Sequence, residues 1–181
     1  MRGYLPPGLA KAASVLPLLP LELVARSLLA NAMRARPTFA SRLGEHAGRT
    51  FAIDPVDCPF VFLFTPEAGR ASLRVVRNLS AAVYDARIAA PLVVLLGMID
   101  GTYDGDALFF SRDLVIEGDT GAVLALRNAI ENAEIEPSLA LGLPAGIGGP
   151  FNRAAEMVLD RLRRTLDAPE PSGHNRKVYS P

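Results

Sequence analysis

The chain has 181 residues, 50% of them hydrophobic and 21% charged, with a formal net charge of zero. That length allows one domain with tails and a sizeable core. The neutral balance argues against nucleic acid as a partner, and the lone Cys58 excludes an internal disulfide and fits a reducing compartment. The charge is nevertheless uneven: residues 1–50 carry a net +5, residues 51–136 a net −7 and residues 137–181 a net +2. Such a split is consistent with ordinary solvated faces, or with a basic segment turned towards anionic lipid or a partner.

The opening stretch AASVLPLLPLELVARSLLANA, residues 12–32, imitates a secretory signal with its upstream base, apolar run and A-x-A ending. Pro17, Pro20, Glu22 and Arg26 break that run, and the same breaks argue against a spanning helix, which needs about 20 apolar residues in a row. The segment is therefore expected to be retained on a cytoplasmic protein. Residues 1–19 read as a Pro-rich lead, residues 20–167 as one domain, and residues 168–181 as a disordered tail without periodicity.

Pro20 suits the first turn of a helix running to about residue 35, with Leu21, Val24, Leu28, Leu29 and Met33 at helical spacing. Pro37 restarts a short helix with Phe39 and Leu43 on its apolar face. The period then changes to two, which predicts strands at 49–55, 59–65, 71–77 and 85–90, in an antiparallel meander. In the second of these Phe60, Phe62 and Phe64 share one face and Val61 and Leu63 the other, so both faces are expected to be covered. The all-round apolar segment LVVLLGMI (92–99) follows Pro91 and reads as a helix packed on the sheet or walling a pocket. DGTYDGD (100–106) reads as a loop. A turn bearing Phe109 and Phe110 precedes a strand at 112–117. Gly118 makes a bend, and Asp119 is placed to cap a helix over 120–133. On that helix Val123, Leu126 and Ile130 share a face that Leu124 widens, and Arg127 must find a partner or reach solvent. The Pro/Gly-rich residues 137–150 predict a loop, and residues 151–166 an amphipathic helix.

Residues that carry chemistry are scarce. A Ser/His/Asp triad needs a positioned histidine, and there are only His46 and His174. His46 and Cys58 can be drawn as a nucleophile pair, but no orienting residue is evident. Asp100, Asp104 and Asp106 approximate a hard-cation loop without the spacing of an EF-hand. GLPAGIGGP (142–150) is glycine-rich but lacks the lysine of a phosphate loop. No Cys/His cluster offers a zinc or iron–sulfur site. No cofactor is expected. What is left is apolar surface in excess, and this is the material either of an ordinary core or of a concave small-molecule site.

The stretch DALFFSRDLVIEGDTGAVLALRNAIE (106–131) resembles the sterol carrier protein 2 family, and its motif FF-x-R-x-LVIEGDT (109–120) is similar to the ubiquinone-biosynthesis accessory (UbiT-like) branch of that family. The proline-broken ASVLPLLPLELVARSLL (13–29) is alike in character. The resemblance implies an α+β fold, an antiparallel sheet of about five strands covered by helices around a hydrophobic lipid-binding tunnel. It implies lipid binding rather than catalysis, and a role in oxygen-independent ubiquinone synthesis as a holder of prenylated quinone precursors. Its implied partners are iron–sulfur hydroxylase proteins, with possible membrane-surface contact on the inner membrane. On this reading Phe109 and Phe110 wall the cavity, with Leu114 and Ile116 beside them on one strand face. Phe60, Phe62 and Phe64 supply a second strand face, Leu92, Leu95, Leu96 and Ile99 the short helix, and Leu124 the closing helix. Glu117 and Arg112 are assigned to solubility or partner contact. A general lipid or fatty-acyl carrier of the same fold, and a small hydrolase using His46 or Cys58, are the rival readings.

Overall fold

The computed structural model describes residues 4, 8, 13–15, 17–67, 69–99, 103, 108, 113–133, 138, 141–143 and 145–165. The first helix, α1 (Leu18–Ala35), starts directly after the extended Pro17 and places Pro20 in its first turn, where a missing N–H costs nothing. A single helical turn, α2 (Phe39–Arg42), and a 3₁₀ turn over 44–46 follow. Strands β1 (Phe51–Pro55), β2 (Val61–Thr65), β3 (Ser72–Val76) and β4 (Ala86–Ala90) then form, each inside its predicted range. Helix α3 (Leu92–Ile99) comes next, then β5 (Val115–Gly118), α4 (Thr120–Ala133) and α5 (Ala145–Thr165). The architecture is α+β: one open five-stranded sheet in the order β3-β2-β1-β4-β5, with helices packed against it.

The sheet is mixed rather than wholly antiparallel. β1–β2, β2–β3 and β4–β5 pair antiparallel, but β4 returns to lie parallel to β1, with Ile53 opposite Ile88. Asp85 fastens this pair at its start. Its carboxylate accepts from the Thr50 amide at 2.7 Å and from Arg49 at 2.9 Å, while its own amide donates to the Thr50 carbonyl at 2.8 Å. These bonds seat the start of β4 beside the start of β1. They also hold the Asp85 carboxyl below the usual carboxylate range, the Thr50 amide being the main cause.

Alternation divides the side chains cleanly. One sheet face carries Phe51, Phe64, Ile88 and Ile116, which pack with Phe39 and Leu43 of the α2 region, Leu95 of α3 and Leu126 of α4 into the main core. The other face carries Ala52, Val61 and Leu63 in a small satellite cluster with Val76 and Tyr84. Both faces of β2 are thus occupied, as its apolar pattern predicts. On that second face Arg87 bridges the sheet to Asp54 at 2.5 Å and to Glu117 at 2.8 Å. Glu117 is therefore engaged in a cross-strand ion ladder.

Two glycines are fixed by close approach. Gly118 sits at φ +84° with its Cα against the Asp85 carbonyl, so that any Cβ would collide with backbone. Asp119 then caps α4, accepting from the Ala122 amide at 2.9 Å. Gly97 of α3 lies flat against the Tyr103 ring, leaving no room for a Cβ. Tyr103 is thereby buried in the main core although it comes from a segment that reads as a polar loop.

The expected loop over 137–150 is corrected at its end: α5 begins at Ala145 and runs through Pro150. Gly148 packs closely on the Ser138 side chain, and Asn152 accepts from the Ser138 amide at 2.9 Å, so tertiary contacts override the poor helix propensity of glycine and proline. The Pro-rich lead lies mostly outside the described residues and the tail at 168–181 wholly so, as do Asp100, Asp104, Asp106, Arg112 and His174.

Candidate functional site: the helix-covered sheet face and its groove

The residues expected to line a cavity fall into three groups. Phe64, Leu95, Leu114 and Ile116 come together on the helix-covered face, where Leu95 and Leu114 are core and the other two pack against it. Phe60, Phe62, Leu92 and Leu96 are half-buried, and the rings of Phe60 and Phe62 meet edge to face at 5.4 Å. Ile99 and Leu124 face outward, 43% and 56% exposed. Leu124 is turned about 100° round α4 from Val123, so it does not widen the buried face of Val123 and Leu126. Phe109 and Phe110 lie outside the described residues.

Open space on this side of the sheet is found between α1 and the edge strand β3. A groove of about 830 Å³ runs there, within the range of small-molecule sites. Leu29, Met33, Pro37, Ala40 and Leu73 supply apolar lining. Leu73 lies opposite Phe64 in the β2–β3 register, and Met33 packs on the cluster that contains Phe39. The groove therefore continues the phenylalanine-bearing face to the molecular surface. Arg26, Arg34, Arg36, Arg70, Glu67 and Ser72 form its polar lining.

Helix α1 forms one wall of this groove, and polar side chains fasten it. Glu22 accepts from the Val75 amide at 2.7 Å, Arg26 donates to the Leu73 carbonyl at 2.7 Å, and the two side chains pair with each other at 2.7 Å. Side chains of α1 thus occupy hydrogen-bonding positions that a neighbouring strand would take, and an open sheet edge is covered. The two charges that spoil a secretory reading of this segment have this structural use. Sequence reasoning placed Leu29 and Met33 on one stripe of α1 but did not find their facing wall. Leu73 and Arg70 lie some forty residues away, and only the fold joins them.

The rival nucleophile pair is not assembled. His46 lies by Asp119 and Arg49, near the beginning of β1, with its Nδ1 3.8 Å from the Asp119 carboxylate. Cys58 lies beyond the far end of β1, beside Asp57. Burial first, and then the Asp57 carboxylate, push the Cys58 thiol up to about 12, which keeps it protonated at neutral pH. Asp57 itself accepts from the Leu92 amide at 2.8 Å, holding the start of α3. Among the described residues no group of His, Cys, Asp and Glu is arranged to hold a metal ion, and no helix is long and apolar enough to cross a membrane.

Residues 29–131, more than half of the chain, match the SCP-2 sterol transfer family. Among solved structures, the UbiJ-SCP2 ubiquinone synthesis protein is 22% identical, with 67% of this chain and 98% of that one covered and a TM-score of 0.50. The sterol carrier protein domain 2 of Helicoverpa armigera is 14% identical over 60% of this chain and 86% of that one, at 0.44. Apo sterol carrier protein 2 from Yarrowia lipolytica is 14% identical over 63% and 89%, at 0.43. No curated protein matches the chain.

Proposed function

The chain belongs to the SCP-2 sterol transfer family, and on that premise we propose that it is a non-enzymatic accessory factor of oxygen-independent ubiquinone biosynthesis that binds prenylated quinone intermediates. The observation that carries this reading is the continuity of the phenylalanine-bearing strand face with the apolar groove under α1. A prenyl chain is matched by such a surface. Likeness to a ubiquinone synthesis protein supports the pathway, as does the motif at 109–120. The binding unit is assigned to residues 20–167. Phe60, Phe62, Phe64, Leu92, Leu95, Leu96, Ile99, Phe109, Phe110, Leu114, Ile116 and Leu124 remain its proposed contacts.

An iron–sulfur cluster needs several cysteine ligands and the chain has one, so the cluster that would serve ring hydroxylation is assigned to iron–sulfur partner proteins. The protein is placed in the cytoplasm and at the inner face of the membrane. The outer side of α1 supports that reading: Leu19, Leu23 and Val24 are exposed there, with the exposed Arg34 further along the helix, a surface suited to an anionic bilayer.

Melting curves with and without a prenylated quinone test the reading. Ligand that binds the folded state raises the melting temperature by mass action. The increment is expected in the wild type and largely lost in Phe109→Ala and Phe110→Ala. A large loss of ligand-free stability with an unchanged increment would make these rings core and move the ligand elsewhere. The second reading, a general fatty-acyl carrier, predicts equal increments from a prenylated quinone and a fatty acid.

A further inference from the structure

We propose that the sheet face turned away from the main core is a contact surface between two copies of this chain, packed face to face about a two-fold axis that runs along β1. The proposal stands apart from the lipid-binding reading. Its basis is one transverse row of the sheet. Arg74 lies opposite Leu63, Leu63 opposite Ala52, Ala52 beside Arg87, and Arg87 opposite Glu117. The row runs from edge to edge with β1 at its centre. Residues paired across strands share a face, so all five point to the same side.

The two ends of the row carry opposite charge. Arg74, on β3, is exposed and has no ion pair among the described residues. A hollow of about 480 Å³ beside it is also lined by Arg77, and no carboxylate is among the described residues that line it. At the other end Asp54 and Glu117 share the guanidinium of Arg87, which leaves one negative charge over, and Glu117 is the exposed member. A two-fold axis along β1 carries β3 of one copy onto β5 of the other and leaves the position along the strands unchanged. Arg74 of each copy then meets Glu117 of the other. An axis across the strands would set Arg74 against Arg74, so charge selects the first arrangement.

The relief of the face agrees. Leu79, Ala82 and Tyr84 of the β3–β4 connection fold down on the small cluster of β1 and β2. With Ala82 and Tyr84 packed inward, Val83 between them is turned out and is 90% exposed. At the opposite end of the face Val115 of β5 is exposed as well. The same axis brings the raised connection of each copy towards the β4–β5 side of the other, and so Val83 towards Val115. Taking these valines out of water supplies attraction, while the charged ends fix register and orientation.

Sedimentation equilibrium of the full-length protein at neutral pH and low salt, from low to high micromolar concentration, tests the proposal. A monomer–dimer equilibrium that weakens as salt is raised is expected. Arg74→Glu places like charges at both ends of the contact and should weaken the dimer about tenfold, equivalent to about 1.4 kcal/mol, with an unchanged melting temperature. Glu117→Lys should weaken it similarly. An equimolar mixture of these two variants should regain the dimer, because each offers the charge that the other lacks. Val83→Asp, which does not touch the Arg87 ladder, should weaken the dimer too and serves if Glu117→Lys fails to fold. A monomer at every concentration would overturn the proposal. So would a dimer that Arg74→Glu or Val83→Asp leaves intact, or a mixture of the two folded charge variants that associates no better than its components.

Discussion

Helices α1 and α3 are both apolar in sequence, and the fold treats them in opposite ways. Val93 and Val94 of α3 are almost wholly inaccessible, and Leu95 is part of the main core. In α1 Ala32 is the buried residue, while Leu23 and Val24 are 56% and 57% exposed. α3 is held by packing, with Gly97 admitting the Tyr103 ring and Asp57 holding its first turn. α1 is held along the sheet edge by Glu22 and Arg26, with Met33 reaching the core. The apolar surface of Val93 and Val94 is consumed in stability. Part of that of α1 is left over, and it borders the groove between α1 and β3. Surplus apolar surface beside a groove is what distinguishes a binding element from a structural one.

The contrast can be broken at several points. Leu95→Ala should cost about 2–5 kcal/mol in a denaturant titration, as expected for a leucine removed from a packed core. A cost near zero would mean that α3 is a mobile wall rather than core. Glu22→Ala removes the carboxylate from the Val75 amide and leaves Arg26 without its partner. It should cost about 1–3 kcal/mol and speed hydrogen exchange at Val75 ahead of the β2–β1 ladder. Unchanged exchange there would show that the sheet edge does not depend on α1. Leu23→Glu should change stability by less than about 0.5 kcal/mol, as for an exposed site, yet weaken flotation with anionic liposomes. Equal flotation by that variant would remove the membrane role of α1. Equal destabilisation by Leu23→Glu and Leu95→Ala would erase the contrast itself.

Much of the architecture is legible along the chain because its causes are local. The apolar run Phe60–Phe64 marks β2, Pro20 marks the first turn of α1, and the Gly118-Asp119 bend and cap announce α4. What is not legible depends on distant partners. The parallel β1–β4 pair is fastened by Asp85 reaching Thr50 and Arg49, thirty-five and thirty-six residues back. The early start of α5 depends on Gly148 meeting Ser138, and propensity alone points the other way. Tyr103 looks solvated among aspartates until Gly97 makes room for its ring. The site divides along the same line. Phe64, Leu114 and Ile116 announce themselves by strand period, whereas the groove needs Arg70 and Leu73 brought against α1. Pattern puts Leu124 on the buried face of α4, where it is instead exposed, because a helical stripe has soft borders and one residue step turns a side chain from core to solvent.

The central claim is that this protein carries a prenylated quinone intermediate rather than lipid in general. Mass spectrometry of lipids extracted from protein purified under native conditions from its own host, grown without oxygen, tests it most directly. A prenylated ring compound in near-stoichiometric amount is the predicted result. A mixture of phospholipids and fatty acids with no prenylated ring compound would contradict it.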